Sequence, residues 1–218
     1  LKKILFTLIK EHINSAIPVG SNSLVEKYKL DISPATARQR FSELEVLGYI
    51  YQPHTSAGRI PTEKAYRMYV EENILNQEKG DILKNIIINK VDDELKQVAK
   101  DLAHDSSLAV FWAFTGKSFY YTGFSNLLKQ PEFAQINKVY DVSQVIDQID
   151  EIINNFFHQI EVGQHILIGA ENPFGASCSS IIIKYKSKKG GGMFGIIGPM
   201  RMNYEKSLKL IIMSLSKL

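Results

Sequence analysis

The stretch from Ser33 to Tyr69, SPATARQRFSELEVLGYIYQPHTSAGRIPTEKAYRMY, is punctuated by three prolines that leave it few ways to fold. Ser33-Pro34 is a helix start, because serine caps free amide groups and proline suits the first helical position. Ala37, Phe41 and Leu44 recur at i, i+4 and i+7 and make one apolar face. At about 100° per residue, the opposite side carries Ala35, Thr36, Arg38, Gln39, Ser42 and Glu43. Gly48 falls where such a helix ends. Tyr49 to Gln52 is β-prone, and Pro53 restricts it to an edge or a strand end. His54 to Gly58 forms a small polar tip, Arg59-Ile60 starts the return strand, and Pro61 stops it. Thr62 then caps a further helix.

A helix followed by a short hairpin with arginine on the returning edge is a winged helix-turn-helix pattern. Upstream residues supply the remainder of such a module. Leu5, Leu8, Ile9, Ile13 and Ile17 mark an amphipathic first helix. Pro18-Val19-Gly20 is a loop, and Ser21 or Ser23 caps a short second helix carrying Leu24, Val25 and Tyr28. The chemistry of the exposed face suits a DNA duplex. Arginine pairs bidentately with guanine, glutamine with adenine, and threonine meets base edges or a thymine methyl. The reading places Thr36, Arg38 and Gln39 in the major groove. Arg59 and the tip residues His54, Thr55 and Ser56 lie along the backbone or minor groove, where arginine is favoured. Ser33 and Thr55 or Ser56 are candidate phosphate contacts. The competing reading is a protein-docking module with Arg38 and Gln39 on a solvated face. Ten Lys and Arg against six Asp and Glu give the first 70 residues +4, only mildly basic, so charge does not choose between the two.

Beyond this domain, taken as residues 1–72, residues 73–104 read as a helical linker. Tyr66, Tyr69, Val70 and Ile74 share one side of a helix from Thr62 to Asn76, and Gly80 interrupts it. Leu83, Ile86, Ile87, Val91, Leu95, Val98 and Leu102 then predict a long amphipathic helix over 82–104, packed on its own C-terminal domain or on a second copy. Residues 105–218 read as α+β. Expected strands are 108–114, 118–121, 165–169, 179–186 and 193–197. Expected helices are 142–157, with Val145, Ile149, Ile152, Ile153 and Phe156 inward, and 203–218, with Leu208, Ile211, Ile212 and Leu215 inward.

No catalytic cluster emerges. Lys188-Lys189-Gly190-Gly191-Gly192 lacks the Gly-Lys-Ser/Thr ending of a phosphate loop and reads as a hairpin. Ser177-Cys178-Ser179 lacks the glycines of a nucleophile elbow. The five histidines show no metal spacing, so neither a metal nor a cofactor is expected, and the chain reads as a non-enzyme. The lone Cys178 rules out an internal disulfide and suits a reducing cytoplasm. No apolar run approaches the roughly 20 residues of a membrane helix, so no membrane partner is expected.

Three segments resemble the heat-inducible transcription repressor (HrcA) family. The first runs from Ala16 to Val70 and includes the distinctive QPHTSAGRIPT. The others are YTGFSNLLKQPEF, and IGAENPFGASCSSIIIKY followed by GIIGPMRMNYEK. The resemblance covers most of the chain except roughly Asn76 to Tyr120. It implies a repressor of chaperone operons that binds an inverted-repeat operator in double-stranded DNA as a homodimer. It also implies relief under heat, the chaperonin as modulator, and a GAF-like C-terminal regulatory and dimerisation domain. The alternative is a ligand-sensing winged-helix regulator of other genes. Where the family usually has Ile-Arg-Asn, this chain has Ala37-Arg38-Gln39, and the glutamine still reads adenine but reaches farther than asparagine. Arg40 stands where the family is often acidic, flanks the apolar face, and is a candidate phosphate contact. Family members are usually longer, with an inserted dimerisation domain in the middle that this chain lacks or keeps as a remnant.

Overall fold

A computed structural model describes residues 1–76, 87–88, 91–114, 118–187, 191–216 and 218. The chain divides into two compact units, Leu1–Asn76 and Gln77–Leu218.

The first unit is built on helices α1 (Lys2–Ser15), α2 (Ser21–Tyr28) and α3 (Pro34–Val46). A two-stranded antiparallel hairpin follows, β1 (Ile50–Tyr51) with β2 (Ile60–Pro61), paired Ile50 to Pro61 and Tyr51 to Ile60. Helix α4 (Glu63–Val70) runs into a π-helical turn over Glu71–Leu75. Leu5, Leu8, Ile9, Leu24, Phe41, Leu44, Ile50, Tyr66 and Tyr69 are buried in one core. Inside it Nδ1 of His12 and the Tyr66 hydroxyl share a hydrogen bond of 2.6 Å, so two polar groups are buried together rather than alone. Two expectations need correction. Ile17 lies beyond α1, after Ala16 takes a left-handed conformation that ends the helix, and it is 62% exposed. Neither Ser21 nor Ser23 caps α2. Gly20 holds the cap position, and the Ser23 hydroxyl donates back to the Gly20 carbonyl at 3.0 Å.

The second unit is α+β. Its sheet contains β3 (Ala109–Phe114), β4 (Ser118–Thr122), β5 (Gly163–Ile168), β6 (Cys178–Tyr185) and β7 (Gly192–Pro199). The spatial order is β4-β3-β7-β6-β5, antiparallel throughout. All six β3 residues are buried, the pattern of a strand covered on both faces. One face carries α6 (Phe124–Leu128), α7 (Ile136–Asp147) and α8 (Ile149–Gln159). Their Phe124, Leu127, Val142, Ile149 and Ile153 pack with Ala109, Phe111, Ala113, Ile182, Met193 and Ile197 of the strands. Helix α5 (Asp92–Ser106) packs on β3 and on α9 (Tyr204–Leu215), and α9 also meets β6. On the sheet, Trp112 stacks on Phe194 with ring centroids 4.2 Å apart and donates its indole N–H to the Tyr185 hydroxyl at 2.8 Å. Gly192 makes room for that tyrosine, because a Cβ there would lie 2.2 Å from its hydroxyl oxygen.

The long helix expected over 82–104 is shorter. Residues 82–86 lie outside the described residues. Ile87 forms a parallel bridge with Lys186, exposed Val91 is the residue before the helix, and α5 starts at Asp92. Three acidic residues then occupy the first turn, where the helix dipole favours negative charge. The stretch drawn as linker therefore includes a helix whose Leu95, Ala99, Leu102 and Ala103 are buried. The helix expected over 142–157 is two helices, α7 and α8, hinged at Gln148 with φ −106° and ψ 8°. The hairpin tip at Lys188 to Gly190 lies outside the described residues.

Trp112 is the only tryptophan and reports on the second unit. Ile153→Ala empties space in the α8 contact with the sheet and is expected to cost about 2–5 kcal/mol. Denaturant unfolding followed by tryptophan fluorescence checks this, and an unchanged midpoint would show that α8 does not anchor the unit.

Candidate nucleic-acid interface

Ser33 caps α3, its hydroxyl oxygen accepting from the Thr36 amide at 3.0 Å and sharing a hydrogen bond of 2.9 Å with the Thr36 hydroxyl. Ala37, Phe41 and Leu44 turn into the core, which fixes the rotation of the helix. The outward face then presents Ala35, Arg38, Gln39 and Ser42, all exposed. Arg38 and Gln39 make no side-chain hydrogen bond or ion pair among the described residues. Ala35 and the Ser42 hydroxyl, which donates to the Arg38 carbonyl, keep the helix narrow beside them. A guanidinium fork and an amide standing clear of a slim helix can enter a groove and pair with planar hydrogen-bonding edges.

The other expected site residues are engaged differently. Arg40 is exposed but bound to the Glu43 carboxylate, with both Nη1 contacts at 2.9 Å. His54, Thr55 and Ser56 are exposed at the hairpin tip, where Nδ1 of His54 lies 3.2 Å from the Thr55 carbonyl oxygen. Ser56 adopts a left-handed conformation, φ 72°, which turns the chain back toward β2. Arg59 lies inward rather than along an exposed edge. Its Nε donates to the Glu45 carboxylate at 3.1 Å, and its side chain is only 16% exposed. The sequence showed an arginine on the returning strand but not the partner that holds it, since Glu45 is on α3, fourteen residues away.

Two further residues set this geometry and were not singled out from the sequence. Val19 and Arg59 exchange backbone hydrogen bonds, both 2.9 Å, which fasten the hairpin to the loop between α1 and α2. Gly58 permits the approach, because a Cβ there would lie 2.5 Å from the Val19 carbonyl carbon and 2.6 Å from that of Pro18. The glycine in AGRIPT was the available signal, and it marks close backbone contact rather than a mobile tip. Thr62 completes the frame by donating to the Gly48 carbonyl at 2.8 Å while accepting from the Ala65 amide.

In the second unit, the family-like segments meet each other. Arg201 pairs with Glu132 and donates to the Gln130 amide oxygen at 3.0 Å. The Tyr204 hydroxyl contacts Ser179 at 2.8 Å and the Met200 carbonyl at 2.5 Å. Asn172 accepts from the Phe174 amide and the Ser180 hydroxyl, and Asn203 caps α9. These contacts close loops onto the sheet. Burial pushes the Cys178 thiol up to about 12. Among the described residues, no cluster of His, Cys, Asp and Glu could hold a metal, and no helix is long and apolar enough to cross a membrane.

The family model for the HrcA protein C terminal domain matches residues 60–208. A heat-inducible transcription repressor HrcA of Carboxydothermus hydrogenoformans is 26% identical over 320 aligned positions, covering 96% of this chain and 94% of that protein. That alignment is longer than the 218 residues here, so it bridges positions that this chain does not fill. The repressor of the same name from Caldanaerobacter subterraneus is 40% identical over 116 residues, half of this chain and 34% of that protein. That of Desulforamulus reducens is 57% identical over 70 residues, 32% of this chain and 20% of that protein. In these shorter alignments the chain spans about a third or less of the relatives' length. The crystal structure of a hypothetical protein at 2.2 Å superposes with a TM-score of 0.78 at 17% identity, covering 99% of this chain and 95% of that one, and so shares the fold.

Two measurements test this geometry. Gly58→Ala forces backbone atoms apart and is expected to destabilise the first unit by about 1–3 kcal/mol. The Val19 and Arg59 amides should then exchange with solvent faster than in the parent, whereas unchanged protection would place the hairpin's anchor elsewhere. With its thiol titrating near 12, Cys178 is protonated at pH 8 and should resist iodoacetamide in the native protein. It should react fully in denaturant, and rapid native alkylation would contradict its burial.

Proposed function

The chain belongs to the HrcA family, and on that premise we propose that it is a transcription repressor acting on chaperone operons. Unit 1 is a winged helix-turn-helix in which α3 reads the major groove through Arg38 and Gln39. The observation that carries this reading is the outward face of α3, where those two side chains stand exposed and uncommitted between Ala35 and Ser42. Thr36, beside the cap, lies at the start of the same helix and serves close phosphate or base contact. The hairpin is the wing, offering His54, Thr55 and Ser56 to the backbone. Arg59 serves mainly to hold that wing against α3 through Glu45, and Arg40 reaches a phosphate by leaving Glu43.

One such unit covers one half-site, so an inverted-repeat operator requires two copies, with half-site spacing set by the dimer. The second unit is read as the GAF-like regulatory and dimerisation domain. Release under heat is the regulation that fits the relatives' name, heat-inducible transcription repressor; the chaperonin as modulator rests on the family resemblance alone.

Arg38→Ala is expected to reduce discrimination between a chaperonin-gene operator and a scrambled duplex by about 1–3 kcal/mol, with less effect on the scrambled duplex. Paired titrations at one salt concentration measure it. Equal losses on both duplexes would remove Arg38 from base reading, and no binding of the parent chain to chaperone-gene promoters would sink the repressor assignment.

A further inference from the structure

The second unit contains a cavity of about 210 Å³ between α7, the Phe133 turn and the loop leading into β6. It exceeds a single-water void and is smaller than the usual drug-sized site of roughly 300 Å³ or more, which limits it to a small ligand. Its walls are apolar. Phe133, Val142 and Phe174 are buried around it, with Val145 and Ala176 beside them. At its polar side sits Lys138, whose ammonium donates to the Ser177 hydroxyl at 3.0 Å and to Asp141 at 3.3 Å. Lys138 thus holds one cation against an apolar chamber with a proton left to donate. Asp141 lines the same cavity and balances part of that charge, so only a singly charged anion, seated on the Lys138–Ser177 side away from the aspartate, fits.

We propose that this cavity is a binding site for a small monocarboxylate with an apolar body, its carboxylate on Lys138 and Ser177 and its body between Phe133 and Phe174. A charge-assisted hydrogen bond at the polar side and burial of the body supply complementary recognition. Cys178 also lines the cavity, but its thiol stays protonated, so binding is non-covalent. The segments around the ligand lead directly into β6, whose Ser179 and Ser180 are bonded to Tyr204 and Asn172. Occupation would therefore stiffen the polar end of the sheet.

The site is independent of DNA, so its test is too. The whole chain is titrated by calorimetry with 3-phenylpropanoate, neutral 3-phenylpropanol, phenethylamine and inorganic phosphate. Saturable binding of 3-phenylpropanoate in the millimolar range or tighter is expected, with phosphate silent and phenethylamine weaker. Lys138→Met keeps the apolar stem but removes the ammonium. It should weaken 3-phenylpropanoate about tenfold or more while leaving 3-phenylpropanol nearly unchanged. Ala176→Trp, at an exposed wall position, should fill the mouth and abolish both while unfolding cooperatively like the parent. The proposal is overturned by no saturable binding of 3-phenylpropanoate, by equal or tighter binding of phenethylamine, by saturable binding of phosphate, or by carboxylate binding that survives Ala176→Trp. It is equally overturned if Lys138→Met weakens both phenyl ligands alike.

Discussion

The first unit depends on the backbone exchange between Val19 and Arg59. A two-residue hairpin strand pair is too small to hold itself in water. These two hydrogen bonds turn it into an extension of the helical core, and Gly58 is the residue that lets the two backbones meet. Once the hairpin is fixed there, the Arg59 side chain falls within reach of Glu45 on α3. The helix is then held from three directions: by its apolar face, by the Ser33 cap, and by the hairpin. Those contacts set the position of the exposed face that carries Arg38 and Gln39.

The second unit solves a different problem. Its antiparallel sheet is apolar on both faces along β3 and β7, so helices must cover both sides. The α6–α8 layer does so on one face and α5 with α9 on the other. Polar ties then gather at one end, where Arg201, Glu132, Tyr204, Ser179 and Asn172 join segments far apart in the chain. A partly buried ion pair of this kind contributes little net stability, but losing one partner strands the other.

What was legible in the sequence was local. The α3 start, its apolar face and its end are written in Ser33-Pro34, in the spacing of Ala37, Phe41 and Leu44, and in Gly48. The continuous apolar run over 108–114 marked a strand, and the structure buries all six residues of β3. What was not legible depended on distant partners. Arg59 reads as a free cation because Glu45 is separated from it by the hairpin. Ile87 and Val91 continue the spacing of Leu95 and Leu102, yet Ile87 is taken by a strand bridge to Lys186, a contact no periodicity contains. The break at Gln148 has no glycine or proline to announce it. The cavity beside Lys138 likewise arises where α7, a short turn and a distant loop fail to fill a corner, and no linear motif marks such a place.

The pairing of Arg59 with Glu45 bears on how such a domain would grip a polyanion. A guanidinium already neutralised within its own fold displaces few condensed cations when a phosphate approaches. With Arg59 so held, the grip of such a domain on a polyanion would lose one salt-sensitive contact and rest more on shape and base edges.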